Sequence, residues 1–266
     1  MERYSTGKRG NPSTLKRDFM ILREVTAKTV LSASKIYPYV LNPYTGCQFG
    51  CSYCYASYMK RFTGHTEPWG TFADVKINAA DLLEKEIRRK KKDTVWISGV
   101  CDPYQPLERA YGLTGRCVRL LVENGWPVRI QTKSDLVLRD IDIFRTGTDC
   151  HVGMSVTTAD DSVRALFEPH VPAIIDRIRA LRELHAAGIR TYAMIAPVLP
   201  GVECLVPQLR GAVDYLYVDR MNYGHAAAVY RANGLERFKT DAYFGSMKIL
   251  IQDQARQAGI RCTVFY

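Results

Sequence analysis

Asn42-Pro43-Tyr44-Thr45-Gly46-Cys47-Gln48-Phe49-Gly50-Cys51-Ser52-Tyr53-Cys54-Tyr55 is the stretch on which the reading of this chain turns. It sets Cys47, Cys51 and Cys54 in a C-x3-C-x2-C spacing, in a loop marked by Pro43, Gly46 and Gly50. Three thiolates on one short loop can bind three irons of a 4Fe–4S cube. No fourth cysteine follows until Cys101. One iron would therefore keep open positions where a substrate or cofactor can bind. Structural zinc draws four ligands, commonly from paired C-x2-C or Cys/His motifs. Here the nearest histidine is His65 and no second pair follows it. Zinc, or cysteines that merely pack, are the weaker alternatives.

With 266 residues, the chain can bury a substantial core as one domain. Its 47% hydrophobic and 24% charged residues describe an ordinary globular protein. The first twenty residues are polar and basic, without the apolar segment of a secretory signal. No apolar run is long enough to span a bilayer. The expectation is a cytoplasmic protein without a membrane, where thiols stay reduced. The net charge of +10 points towards a polyanion, because Lys and Arg neutralising phosphates drive nucleic-acid association. Basic residues gather in 1–35 and in Arg88-Arg89-Lys90-Lys91-Lys92. The plainer reading of each is solvated surface. The second run also suits the C-terminal end of a helix dipole.

Residues 1–35 are expected to form a poorly structured basic lead-in, and 36–266 the core domain, closed by a C-terminal helix and strand. Tyr37–Leu41 is β-prone and feeds the cysteine loop, Ser52–Phe62 reads as a helix, and 65–76 as a loop. From there strands alternate with helices. Strands are expected at 94–98, 127–132, 150–156, 189–196, 213–218 and 260–265. Helices are expected at 78–89, 112–124, 136–144, 171–187, 204–212 and 240–258. Such alternation implies βαβ units and a mainly parallel α/β sheet.

C-x3-C-x-aromatic-C, with Tyr53 as the aromatic, resembles the signature of the radical S-adenosylmethionine (radical SAM) superfamily. Asp102-Pro103-Tyr104-Gln105-Pro106, Gln131-Thr132-Lys133 and Glu168-Pro169 further resemble its spore photoproduct lyase-like branch. The resemblance covers most of 37–220. It implies a single-domain (β/α)6 partial TIM barrel whose six strands run from Tyr39 to Val218. It implies a 4Fe–4S cluster on Cys47, Cys51 and Cys54, with S-adenosylmethionine on the open iron. It also implies an electron donor such as flavodoxin or ferredoxin. Reductive cleavage of the cofactor would yield a 5′-deoxyadenosyl radical that takes hydrogen from the substrate.

The resemblance also assigns expectations to single residues. Tyr53 would contact the adenine, Ser98 and Gly99 the methionine amino group, Lys133 the carboxylate, and Ser155 the ribose or carboxylate. Cys101 lies 47 residues past Cys54, comparable to the hydrogen-donating cysteine of the lyase, and Tyr55 resembles its relay tyrosine. The plain alternatives are a small buried thiol for Cys101 and a loop-packing ring for Tyr53. For Arg177 the plain alternative is a salt bridge on a helix surface. Asp219, Arg220 and Asn222 follow the sixth strand and could face the cavity. A nucleic acid or nucleotide is the leading substrate. The alternatives are a small metabolite or peptide, or a non-catalytic iron–sulfur protein that binds or senses redox state.

Overall fold

The computed structural model describes residues 20–266, so the expected lead-in is covered only from residue 20. Eleven strands occur among the described residues. The first five are β1 (Ile21–Val25), β2 (Leu31–Ala33), β3 (Tyr39–Leu41), β4 (Tyr44–Thr45) and β5 (Phe72–Lys76). There follow β6 (Val95–Ile97), β7 (Val128–Thr132), β8 (Cys150–Ser155), β9 (Arg190–Ile195), β10 (Tyr215–Val218) and β11 (Arg261–Val264).

The main sheet has the order β11-β10-β9-β8-β7-β6-β3-β2. Every pairing from β3 to β11 is parallel, and β2 alone runs antiparallel, against β3. The six alternating strands from β3 to β10 are those of a partial TIM barrel, and β11 extends the sheet. All six residues of β8 are buried, as a central strand with covered faces requires. On the terminal strand β11, exposed and half-buried residues alternate.

Helices cover the outside. The helix Ala79–Ile87 buries Ala79, Ala80, Leu83 and Ile87, a stripe at helical spacing. Burying each of the larger two contributes about 1.5–3 kcal/mol. The helix Asp241–Gln257 starts at Thr240, whose hydroxyl accepts from the Tyr243 N–H, and buries Phe244, Met247, Ile251 and Ala255.

Inside the barrel, below the C-terminal strand ends, aromatic side chains fill the space. Tyr192 stacks on Tyr215 with ring centroids 5.1 Å apart, and Tyr217 meets both edge-on. Gly153 makes room for them, because a Cβ there would come within 2.2 Å of the Tyr192 ring. The Tyr192 hydroxyl then donates to the Ile130 carbonyl at 2.8 Å. Tyr37, tilted against Trp96, reaches towards Tyr217 and helps fill the open side of the barrel.

The chain differs from expectation mainly before the barrel. Residues 21–25 and 31–33 are strands, and 72–76, expected as loop, is β5. β1 pairs parallel and β4 antiparallel with β5, forming a separate three-stranded sheet. Long-range pairing imposes this order, and the short runs have too few residues to show a period. The expected helix after Cys54 is a 3-10 turn, Tyr55–Met59, followed by one α-turn, Lys60–Thr63. Helices Asp161–Phe167 and Ala227–Ala232 were not anticipated.

Candidate active site

The cysteine loop leaves β4 and is clamped on both sides. Gly46 has φ +87°, and a Cβ there would fall 2.4 Å from the Phe72 carbonyl oxygen of β5. The Gln105 amide donates to the Gly46 carbonyl at 3.2 Å, and its oxygen accepts from the Gln48 N–H at 2.8 Å. The Gln48 oxygen in turn accepts from the Leu107 N–H at 2.6 Å. These two glutamines bind the cysteine loop to the segment 102–107 that follows β6.

That second loop is ordered by Asp102. Its carboxylate accepts from the Tyr104 N–H at 2.9 Å, the Thr132 hydroxyl at 2.5 Å and the Lys133 N–H at 2.8 Å. The rigid role open to Asp102 at the sequence level is therefore real: it joins the ends of β6 and β7.

A cavity of about 440 Å³ opens at the C-terminal ends of the barrel strands. α/β barrels place their sites at this edge. All ten residues singled out from the sequence line it: Cys47, Cys51, Cys54, Tyr53, Tyr55, Ser98, Gly99, Cys101, Lys133 and Ser155. Asp219, Arg220 and Asn222 line it too, from beyond β10. His65 is absent from the lining. It is buried, with its nitrogens 2.9 Å from Glu67 and 3.0 Å from Asp74, and stacks on Phe72.

Each residue's surroundings differ. Tyr53 is buried and its hydroxyl donates to Glu168, which also accepts from the Thr157 hydroxyl at 3.1 Å. Glu168 pairs with Arg177, both side chains being fully buried. Arg177 also donates to the Ser155 carbonyl at 3.1 Å and the Pro172 carbonyl at 3.0 Å. The surface salt bridge weighed for Arg177 is thus corrected. The guanidinium lies inside the molecule, where four-sided bonding replaces water. Lys133 Nζ lies 5.8 Å from the Tyr53 ring centroid and has no hydrogen-bond partner among the described residues. Burial pulls its pKa down, but Cys51, Glu168 and Asp102 outweigh that and raise it. It is an ammonium facing the cavity.

Ser155 Oγ accepts from the Gln131 amide at 3.1 Å. Ser98 adopts φ +64°, which a non-glycine residue takes up only at a cost. A Cβ on Gly99 would lie 3.1 Å from Trp96 and 3.3 Å from Val40. The Cys101 thiol is within 3.4 Å of the Tyr44 carbonyl and 3.5 Å of Ser98 Oγ. Burial pushes its pKa up to about 12, so it keeps its proton. The Tyr55 hydroxyl donates to the Gly99 carbonyl, and no hydrogen bond joins Tyr55 to Cys101 among the described residues.

The three loop thiols are raised by burial, and Cys47 further by Asp102 and its neighbouring cysteines. Lys133 counters this at Cys51 and Cys54. Among the described residues, no three His, Cys, Asp or Glu side chains converge on a single ion. A cube offers three separate irons instead. Three cysteines spread around one loop at the cavity wall, with a cation opposite, fit such an anionic cluster.

The fold and the loop define a class: a partial barrel with an iron–sulfur-type cysteine loop over its C-terminal mouth. Residues 41–203 match the family model of the Radical SAM superfamily, and the chain belongs to that superfamily. An uncharacterized protein of Methanocaldococcus jannaschii is 34% identical over 205 residues, 75% of this chain and 77% of that protein. An uncharacterized Mycobacterium tuberculosis protein is 29% identical over 69% of this chain, which spans 57% of its length. A radical SAM Nalpha-GlyT isomerase of Pseudomonas phage M6 is 26% identical over 60% of this chain and 33% of its own. Spore photoproduct lyase complexed with dinucleoside spore photoproduct shares the fold at TM-score 0.70 and 17% identity. That match covers 98% of this chain and 87% of the lyase. Streptococcus suis SuiB bound to precursor peptide SuiA does so at 0.55 and 15%, over 93% and 49% of the two chains. The chain is thus a radical SAM enzyme.

Sequence reasoning missed Trp69, Gln131, Met194 and Tyr223 in the cavity wall, and the burial of Arg177. Gln131 stood two residues from a quoted lysine at a strand end. Trp69 lay in a segment read as loop.

Proposed function

We propose that this protein binds a 4Fe–4S cluster through Cys47, Cys51 and Cys54 and S-adenosylmethionine beside it, and acts on a nucleobase of a nucleic acid or nucleotide. One observation carries the reading: the three cysteines, the buried ammonium of Lys133 and the strand-end residues Ser98, Gly99 and Ser155 enclose the same cavity. When bound, the cluster supplies the electron that cleaves S-adenosylmethionine to a 5′-deoxyadenosyl radical.

The protein's own groups account for the rest. Lys133 pairs with the cofactor carboxylate, a charge-assisted bond. The carbonyls and hydroxyl around Ser98 and Gly99 accept from its ammonium. Tyr53, held by Glu168, supports the loop and the adenine. The apolar wall of Phe49, Trp96, Met194 and Met221 excludes water from the reacting atoms. Cys101, protonated and half-exposed to the cavity, can return a hydrogen atom to a substrate radical, since its S–H bond is weak. Tyr55 stands at the mouth as a relay.

The substrate class is supported by the net charge of +10 and by a line of rings leading out of the cavity. Tyr223, Tyr55, Tyr58 and Phe62 follow one another at 6.3, 6.5 and 6.2 Å between centroids. They are 52%, 41%, 43% and 75% exposed. Such rings stack bases whatever their sequence. The basic run 88–92 has no part in this. It precedes β6, at the N-terminal end of the strands, and the cavity lies at the other end. Its position closes the helix Ala79–Ile87, where the dipole favours cations. A nucleobase substrate also agrees with the dinucleoside in the lyase complex. A peptide, as in SuiB, is the second reading.

The test is anaerobic turnover of the reconstituted enzyme with ultraviolet-irradiated and untreated DNA. Stimulated 5′-deoxyadenosine formation, with altered partitioning of product in Cys101→Ala, supports the proposal. Indifference to every nucleic acid, with stimulation by a peptide, overturns the substrate class.

A further inference from the structure

Trp69 faces the cavity from the turn before β5, and its Nε1 is enclosed without a hydrogen-bond partner among the described residues. Leaving a buried donor unpaired costs about 1–3 kcal/mol. Native proteins rarely leave one so, and an orphan beside an iron–sulfur loop has an obvious acceptor missing. The ring is firmly held. It packs edge-on against Phe72 at 5.7 Å and 81°. The next residue, Gly70, has φ +102° and lies so close to the cysteine loop that a Cβ would come within 2.8 Å of Gly50 Cα. The Trp69–Gly70 turn and the cysteine loop are therefore in backbone contact, and the indole cannot swing away without disturbing both.

The sulfur of Cys54 is the acceptor within its influence. Burial raises the Cys54 pKa, while Lys133, the N–H groups of Ala56 and Ser57 and the Trp69 indole each pull it down. The Ala56 and Ser57 donors belong to the 3-10 turn that follows Cys54. Trp69 is the donor that arrives from a different part of the chain.

We propose that the Trp69 indole N–H donates to the Cys54 sulfur when that sulfur is a cluster ligand, and so raises the cluster's reduction potential. The inference rests on the reading that Cys47, Cys51 and Cys54 hold a cluster. An iron-bound thiolate remains an acceptor. Reduction adds one negative charge to the cluster, and a fixed N–H dipole stabilises the more negative state. Trp69 is a positioning residue in this account. It tunes the electron that the cavity receives and touches no substrate.

The test uses Trp69→Phe, which keeps the packing on Phe72 and removes only the donor. Iron and sulfide analysis first confirms the cluster, and an anaerobic titration followed by electron paramagnetic resonance gives its potential. The expected result is a lower potential. At the potential where half of the wild-type cluster is reduced, the reduced-to-oxidised ratio should fall by up to about ten-fold, a shift of about 59 mV for one electron. A measurement without any substitution accompanies it. Wild-type protein carrying indole-15N tryptophan should show a 15N coupling to the reduced cluster, retained in Trp96→Phe and lost in Trp69→Phe. An unchanged potential in a fully loaded Trp69→Phe variant, or no 15N coupling in the wild type, overturns the proposal. If the variant fails to bind iron, the wild-type coupling alone decides. If the wild type itself assembles no cluster, the underlying functional reading fails instead.

Discussion

Arg177→Met should be among the most damaging single substitutions outside the cavity wall. It removes the guanidinium from a pair whose side chains are both fully buried, and strands the Glu168 carboxylate in the interior. The bonds to the Ser155 and Pro172 carbonyls go with it. Breaking one side of a buried pair costs about 3–5 kcal/mol. In a domain of this size each kcal/mol lowers Tm by roughly 2–4 °C, so the loss should be about 6–20 °C. Glu168→Gln should cost nearly as much, by leaving Arg177 unpaired.

The double variant Glu168→Gln/Arg177→Met removes both charges, and should recover a large part of the summed loss. The pH dependence follows from the same pair. Burial would raise the Glu168 pKa, but Arg177, Lys133 and Tyr53 outweigh it and hold it below the ordinary 4.5. A carboxyl depressed in the folded state stabilises above its unfolded value, and that contribution is lost as pH falls through the folded one. Wild-type stability should therefore decline below about pH 4.5 more steeply than that of Glu168→Gln. Thermal unfolding of the four proteins between pH 3 and 8, as about six steps, reads both effects. A Tm for Arg177→Met within about 2 °C of wild type, or strictly additive losses in the double variant, would refute the reasoning.

Gly153→Ala should cost about 1–3 kcal/mol or more in chemical denaturation, because its methyl would meet the Tyr192 ring at 2.2 Å. Lys133→Ala should weaken S-adenosylmethionine binding to the reconstituted protein roughly ten- to a hundred-fold by calorimetry, with the iron content unchanged. Tyr58→Ala and Phe62→Ala should each weaken binding of a short single-stranded oligonucleotide roughly five-fold or more, whereas charge reversal in 88–92 should change it little.

How much of this was legible in the sequence depended on the reach of the interactions concerned. The barrel strands were legible because each is an apolar run bounded by turn residues, and Gly125, Gly188 and Gly259 mark the helix ends before β7, β9 and β11. The cavity was legible because strand-end residues share one edge of a parallel sheet. β1, β2 and β5 were not. β2 is three residues long, β1 is mostly exposed, and β5 is fixed by pairing with distant segments. Arg177 was misread because nothing local distinguishes a buried arginine from an exposed one at position 177 of an amphipathic helix. Its partner, Glu168, precedes the helix and reaches it only in the folded chain. Trp69 escaped notice for the same reason: its role depends on Gly70 meeting Gly50, a contact between two loops.

The most direct test of the central claim is to reconstitute the protein anaerobically with iron and sulfide, add dithionite and S-adenosylmethionine, and quantify 5′-deoxyadenosine. The account predicts four irons per chain as the cube requires, cofactor cleavage by the wild type, and loss of both iron and cleavage in Cys54→Ala. An intact cluster that leaves S-adenosylmethionine uncleaved would contradict it, as would undiminished 5′-deoxyadenosine from Cys54→Ala.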